Sequence, residues 1–330
     1  MPAGQYRQNL LTVAAHLPRR PEVLGLGVGL DLRWGRDPGM LYDETHGDVV
    51  SHSVVRFLER HVGEFGHLFV SWQPKDGGKL DARQYFPAYD DLFARVGHLY
   101  TIRALHQTAL NLGALERYDR REILQLTNAL IRRYDLGWVN EDLGLWSIHG
   151  KPLPYPLAPY LTDDGLDAAI RNVREVRLAL DAPLLVEFPG FSDGVAFFIG
   201  KLHAYDFFRV VAEESEVGVT LDTGHLLSYQ WLVGKRGADL WGELERLPLD
   251  RCFEIHLSGC EIRNDRFFDL HHGVLLDAQL ELLDRLVGSC PNVRAITYED
   301  PVFDGEGQLT DAAAASFAAL RLKMAGVMSR

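Results

Sequence analysis

Thiols are scarce in this chain. It has three cysteines in 330 residues, Cys252, Cys260 and Cys290, and no Cys-x-x-Cys pair. An odd, scattered set excludes a disulfide framework or a cysteine-ligated zinc knuckle as the organising chemistry, and the thiols read as structural. Long apolar runs are missing as well. Nowhere do about 18 consecutive apolar residues occur that could span a bilayer, and the opening stretch MPAGQYRQNLLTVAAHLPRRPEV has no apolar core of signal-peptide length. The expectation is a soluble, cytoplasmic protein with no membrane partner. Clustered cations are also lacking: 34 Lys and Arg against 46 Asp and Glu leave a net charge of −12 and no basic run. Phosphate backbones are gripped by clustered Lys and Arg, so no nucleic-acid partner is expected. Neither a short internal repeat nor a low-complexity tract is present.

What the chain does have is 47% hydrophobic residues, arranged as short apolar runs that alternate with amphipathic stretches. Runs rich in Val, Ile, Leu and Phe, bounded by Gly, Pro or Asp, are the signature of strands buried on both faces. Eight occur, near residues 23–31, 67–72, 99–106, 136–141, 183–188, 217–222, 252–257 and 294–299. Helical periodicity fills the intervals, at 49–65, 87–97, 119–135, 163–181, 200–214, 237–247, 275–288 and 309–327. In the third of these, Ile123, Leu124, Leu126, Leu130 and Ile131 form one apolar stripe, and Thr162 and Asp163 offer N-cap oxygens to the fourth. Strict alternation of strand and helix implies parallel strands joined by right-handed crossovers, and eight such units close a (β/α)₈ barrel. An open doubly wound sheet is the competing fold. Gly25, Gly27 and Gly29 follow neither the spacing nor the helix start of a phosphate-binding turn, so they read as barrel-strand glycines. The expected organisation is a single barrel domain over 1–330, with an N-terminal extension at about 1–22, a long insertion around 32–66 and extended loops at the carboxyl-terminal face. Residues 32–48 and 73–86 are polar loops suited to lids or substrate walls, and the proline- and aromatic-rich 146–162 suits a fixed extended wall.

The chemistry sits at the strand ends. His106, Glu141 or Asp142, Glu187, Asp222, His256 and Glu299 each close an apolar run, at intervals of 35, 46, 35, 34 and 43 residues, the length of one strand–helix unit. In a parallel barrel, side chains at the carboxyl ends of the strands meet at one mouth. A single buried carboxylate at a strand end is as often salt-bridged as functional. Six together point to metal ligation. His225 shares the turn LDTGHLLS with Asp222, and Asp269 and His271 stand at i and i+2 in FFDLHHG, a spacing that turns both side chains to one side if the segment is extended. Imidazole and carboxylate without thiolate suit iron, manganese or zinc rather than calcium, and about eight donors allow more than one ion. Cys260, four residues past His256, reads as a small buried thiol.

The segments HQTALNLG, VNEDLGLW followed by PLPYPL, LLVEFPG, VGVTLDTGHLLS, EIHLSG, DLHHG and TYEDP stand in the order and approximate spacing of the DUF692 family, the multinuclear non-heme iron-dependent oxidative enzymes. The chain resembles that family from about residue 24 to residue 305. The resemblance implies a (β/α)₈ barrel of the xylose-isomerase-like kind. It implies two or three irons in a mixed Fe(II)/Fe(III) state with O₂ as co-substrate. It further implies oxidation of a cysteine or other residue of a ribosomally made peptide, or of a related small molecule, as in natural product biosynthesis, and a small partner protein presenting the leader. Carried over by position, His106, Glu187, Asp222, His256, Asp269, His271 and Glu299 fall on the family's iron ligands, and Glu187, Asp142 and His225 take the catalytic positions, with Glu187 bridging two ions. The chain also departs from the family. Asn140–Glu141–Asp142–Leu143 replaces the family's Ser-Glu-His-Leu, Phe188 replaces the asparagine after Glu187, and His225 replaces the asparagine of an Asp-x-x-Asn turn.

Two other classes compete. A redox-inert divalent-metal barrel, an isomerase or hydrolase, would want a catalytic lysine or histidine beside the metals, and Lys151 is the one obvious loop lysine in the motif-rich half. A binding protein with a degenerate metal site would account for Asp142 and Phe188 without any catalysis.

Overall fold

A computed structural model describes residues 24–30, 53–72, 83, 85–191 and 198–328. The expected N-terminal extension, the loop at 32–48 and nearly all of 73–86 lie outside these residues. Eight strands form a closed, all-parallel barrel: β1 (Leu26–Leu30), β2 (Leu68–Trp72), β3 (Arg103–Gln107), β4 (Trp138–Asp142), β7 (Leu184–Glu187), β8 (Gly218–Asp222), β9 (Cys252–Leu257) and β12 (Ala295–Glu299). Six fall within the run expected to form them, while β3 and β4 each extend one residue past theirs, to Gln107 and Asp142. Sequential strands are neighbours and β12 closes onto β1, in the register Leu26 with Ile296 and Gly29 with Glu299. Two antiparallel hairpins are added on loops that follow barrel strands, β5 (Leu145–Ile148) with β6 (Lys151–Leu157) and β10 (Cys260–Arg263) with β11 (Arg266–Asp269). The proline-rich wall at 146–162 is therefore a bulged hairpin.

The helices α1 (Ser53–Arg60), α2 (Phe86–Val96), α3 (Arg121–Tyr134), α4 (Asp163–Ala179), α5 (Ala204–Ser215), α7 (Asp277–Ser289) and α8 (Asp311–Met328) occupy the expected intervals. The apolar stripe of α3 is buried, and Thr162 Oγ1 accepts the Gly165 N–H at 3.1 Å to cap α4. One helix differs from expectation. Instead of 237–247, the crossover after β8 uses α6 (Thr223–Leu232), which starts directly at the strand end, while 237–251 makes only three short 3₁₀ turns. The reason is burial: Thr223 to Gln230 are buried on all sides, so no amphipathic stripe announces the helix. Its start is fixed by Asp222, whose Oδ1 accepts the His225 N–H at 2.8 Å.

Alternation along the strands separates two cores. Outward residues such as Val28, Leu105, Val139, Val186, Leu221, Ile255 and Ile296 pack under the helices. Inside the barrel, Phe69, Ala104, Trp138, Leu185, Phe253 and Ala295 make a smaller apolar plug. Glycines in β1 make room for it. A Cβ on Gly27 would lie 1.9 Å from the His67 imidazole, and one on Gly29 would lie 2.8 Å from the Phe69 ring. These are close-approach glycines, in keeping with their reading as barrel-strand residues.

Gly27→Ala is expected to destabilise the chain by about 1–3 kcal/mol, because the buried His67 ring has nowhere to move. Gly288→Ala, in α7 with open space around its would-be Cβ, is expected to be neutral or stabilising by about 0.5–1 kcal/mol. Urea unfolding of the two variants compares them directly. Equal stability would refute the close-packing assignment.

Candidate metal centre

Six barrel strands end on the expected donors. Asp142, Glu187, Asp222 and Glu299 are the last residues of β4, β7, β8 and β12, while His106 and His256 are next to last in β3 and β9. Their strands place them side by side, with Asp142 in register with Glu187 and Asp222 with His256. The choice between Glu141 and Asp142 is decided by alternation: Asp142 faces the mouth. Glu141 faces the other way and accepts the backbone N–H groups of Leu110 and Asn111, each at 3.1 Å.

Three groups of donor atoms, each within 4.8 Å of one another, could hold a metal ion: Glu187, Asp222, His256 and Glu299; His225, Asp269 and His271; and Asp142, Glu187 and His225. In the first, His256 Nδ1 lies 3.3 Å from Glu187 Oε2 and 3.4 Å from Glu299 Oε2. In the second, Asp269 Oδ2 lies 3.0 Å from His225 Nε2 and 3.4 Å from His271 Nε2. His106 stands beside the third, with Nε2 3.3 Å from Glu187 Oε2 and 3.9 Å from Asp142 Oδ2. The two Glu187 oxygens face different neighbours, Oε1 towards His225 at 3.5 Å and Oε2 towards His106 and His256. His225 cannot serve two groups equally. Its Nδ1 lies 2.8 Å from the Phe188 carbonyl, which accepts a proton from it, so the free lone pair is on Nε2, towards Asp269.

Asp269 and His271 do come together, but not through an extended segment. His271 has a left-handed backbone, φ 46°, and this kink turns its ring back towards the end of β11. His272 faces elsewhere, its Nδ1 accepting the Val274 N–H at 3.2 Å. Cys260 is buried against Ser258 and Asp269, its Sγ 3.8 Å from Asp269 Oδ1, and burial pushes its thiol well above the ordinary range. It joins none of the donor groups among the described residues.

The donors suit a cation. Asp142, Glu187, Asp222 and Glu299 are buried, and among the described residues their cationic partners are histidines only. Asp142 Oδ1, Glu299 Oε2 and both His256 nitrogens have no aligned hydrogen-bond partner. Buried polar atoms left this way are costly unless something else satisfies them. Crowding shows in the acidities. Asp142 is pushed up to about 7, first by burial and then by the Glu187 charge. Asp222 is pushed up to about 6, chiefly by burial, with Asp269 adding and His225 opposing. Burial disfavours charge on His106, but its hydrogen bond to Glu187 prevails and raises it to about 9. Glu187 lies well below the usual carboxylate range despite burial, because His256 and His106 flank it.

A family model described as RiPP precursor modification enzyme MbnB/TglH/ChrH matches residues 86–303, a span that contains every donor named above. The chain belongs to this family. Among curated relatives, a UPF0276 protein of Paraburkholderia phytofirmans is 30% identical over 72% of this chain and 80% of its own length. A UPF0276 protein of Anaeromyxobacter is 27% identical over 51% of this chain and 57% of its own length, so the match spans little more than half of that relative. Among solved structures, a xylose isomerase domain protein from Alicyclobacillus acidocaldarius superposes with a TM-score of 0.54 at 17% identity, covering 93% of this chain and 100% of that one. An L-ribulose 3-epimerase gives 0.51 at 13%, over 92% and 95%. These two show the fold: a xylose-isomerase-like barrel. Among the described residues, no helix is long and apolar enough to cross a membrane.

Several members of this site were not among the expected site residues. Ser258 Oγ donates to Asp269 Oδ1 at 3.1 Å and lies 3.3 Å from Asp222 Oδ1, tying two donor groups together. Asn140 donates Nδ2–H to Glu187. Glu254 and His67 lie inside the barrel beside His256. The alternation that exposes His256 in FEIHL also marks Glu254, two residues earlier. Nothing in the sequence marks His67.

In chelator-treated protein the Asp142 carboxyl ionises near pH 7 when folded but near its ordinary 3.8 when unfolded. Its raised folded value therefore costs nothing below about pH 3.8 and its full penalty is present above pH 7. Asp142→Asn is expected to stabilise the metal-free chain at pH 8 by about 2–4 kcal/mol, with the gain shrinking towards pH 4. Calorimetric melting across that range tests it, and identical melting of parent and variant at pH 8 would contradict the crowding.

Proposed function

We propose that the chain is a multinuclear non-heme iron enzyme that uses O₂ to oxidise a ribosomally made precursor peptide, at a cysteine or another residue. The observation that carries this reading is Glu187, a buried carboxylate whose two oxygens face two different histidine-containing donor sets. One iron would be held by Glu187, Asp222, His256 and Glu299, and a second by His225, Asp269 and His271, with Glu187 shared towards Asp142 and His106, where a third ion has donors. Bound iron supplies O₂ activation and anchorage for an anionic substrate atom such as a thiolate.

The chain's own residues do the rest. The Phe188 carbonyl holds the proton on His225 Nδ1 and so aims Nε2 at the Asp269 group. Ser258 keeps Asp222 and Asp269 at a fixed separation. Phe69 stacks on both His106 and His256, with ring centroids 5.2 Å away in each case, and keeps water from the inner side of the donors. The hairpins β5–β6 and β10–β11 flank the mouth and offer walls for an extended peptide, which a small partner protein would present through its leader. Lys151, the lysine an isomerase reading would call on, is exposed on the β5–β6 hairpin and belongs to none of the donor groups among the described residues.

Loading with Fe(II) under anaerobic conditions, followed by metal analysis and oxygen-electrode measurement on admitting air, tests the reading. Two or three irons per chain and O₂ uptake are expected. His256→Ala and Asp269→Ala are each expected to lose about one iron per chain, from different donor groups, and to abolish uptake. A parent protein that carries only zinc or magnesium and consumes no O₂ when supplied with iron overturns it.

A further inference from the structure

Behind the donor cluster the barrel holds a second carboxylate that the proposed iron chemistry does not use. Glu254 lies two residues before His256 on β9, and that spacing turns both side chains into the barrel. Its side chain is 1% exposed. Trp138 Nε1 donates to Oε2 at 2.7 Å, and Thr297 Oγ1 donates to Oε1 at 2.6 Å. The same Oε1 lies 3.2 Å from His256 Nε2 and 4.0 Å from His67 Nε2. Since the Thr297 hydroxyl spends its proton on Glu254, the 2.9 Å contact between Thr297 Oγ1 and His67 Nε2 has His67 as donor. Every polar group around Glu254 therefore gives it a hydrogen directly or through Thr297. A carboxylate only accepts, so the nitrogen of His256 that faces it must carry the hydrogen.

This fixes the other nitrogen. With hydrogen on Nε2, His256 presents its lone pair at Nδ1, the atom that faces Glu187 and Glu299. We propose that Glu254 is a positioning residue for the metal centre: it selects the Nε2–H form of His256 and sets the ring so that Nδ1 enters the Glu187–Asp222–His256–Glu299 group. This is the carboxylate–histidine–metal arrangement in which the partner behind the imidazole fixes both orientation and basicity. The 3.2 Å approach is not aligned as a full hydrogen bond, as is common for such contacts before the ligand that completes them is bound. The Phe188 carbonyl plays the mirrored part for His225, by holding the hydrogen on Nδ1. The two histidines thus deliver opposite ring nitrogens to their groups.

The assignment rests on the iron reading of the site, and the experiment separates the two. Iron affinity is measured by chelator competition on the parent, on Glu254→Leu, which fills the space but cannot accept, and on Trp138→Phe, which removes a donor to Glu254 and leaves the His256 contact. Circular dichroism checks the fold of each. Glu254→Leu is expected to weaken iron binding by about 10–100-fold, and Trp138→Phe to leave it unchanged. Parent-like affinity in Glu254→Leu, or an equal loss in Trp138→Phe, overturns the positioning role while leaving the iron site standing. Should Glu254→Leu not fold, the iron-loaded crystal structure of the parent decides: Nδ1 of His256 on the metal supports the assignment, and Nε2 on the metal overturns it. A parent that takes up no iron overturns the proposed function and this role with it.

Discussion

Like charges forced together out of water constrain everything at the mouth of this barrel. Asp142, Glu187, Asp222 and Glu299 are closed off from solvent at adjacent strand ends, and their mutual repulsion in a medium of low polarisability would undo the fold unless cations stand among them. Among the described residues the protein supplies histidines for that purpose. A histidine compensates a carboxylate only while protonated, and a protonated ring has no lone pair for a metal. The same rings therefore serve two exclusive states. In the first, protons on His106, His225 and His256 balance the carboxylates. In the second, those protons would leave and a divalent cation would take over their charge. Metal binding would therefore be coupled to proton release, because the surrounding carboxylates raise the pKa of all three histidines despite their burial.

Holding such a cluster open needs rigid walls, and the barrel provides them by alternation. The donors at the strand ends have outward neighbours that anchor them: Leu105 beside His106, Leu143 beside Asp142, Val186 beside Glu187, Leu221 beside Asp222, Ile255 beside His256 and Tyr298 beside Glu299. These neighbours lie in the helix–barrel core, so a donor cannot swing aside without disturbing packing at native density. Inside, Phe69 stacks on His106 and His256 and packs with Trp138 in an apolar plug beneath the rings. Gly27 and Gly29 allow that crowding, since any side chain there would occupy the space of His67 or Phe69. The electrostatic cost at the top is thus met by apolar packing below and around it.

How legible this was depends on which physical signal each part emits. Buried parallel strands are nearly continuous apolar runs, so all eight were readable, and the donors at their ends followed from the unit length. Amphipathic helices were readable for the same reason. The helix after β8 was not, because a helix buried on every side has no polar face to set a phase. Asp269 and His271 were paired for the wrong reason: the expected extended segment is a left-handed kink at His271, a conformation no residue type there announces. Alternation marks Glu254 as inward-facing, but its role shows only once Trp138 and Thr297 are seen to donate to it, and nothing in the sequence marks His67.

The departures from the family pattern concentrate in one quarter of the mouth, and they compensate one another. Asp142 stands where a histidine is usual, adding a negative charge beside Glu187. His225 stands where an asparagine is usual and brings its Nδ1–H, which the Phe188 carbonyl holds, within 3.7 Å of Asp142 Oδ1 while Nε2 faces Asp269. Phe188, in place of a polar residue, packs into an aromatic cage of Phe191, Tyr205, Phe208 and Tyr229, and only its carbonyl remains to address the site, at His225 Nδ1. An imidazole has in effect moved from the end of β4 to the first turn of α6. The donor count is kept, but the nitrogen shifts towards the Asp269–His271 group and an oxygen takes its place beside Glu187. The exchange therefore sets the two halves of the donor cluster apart, oxygen-rich around Glu187 and nitrogen-rich around Asp269.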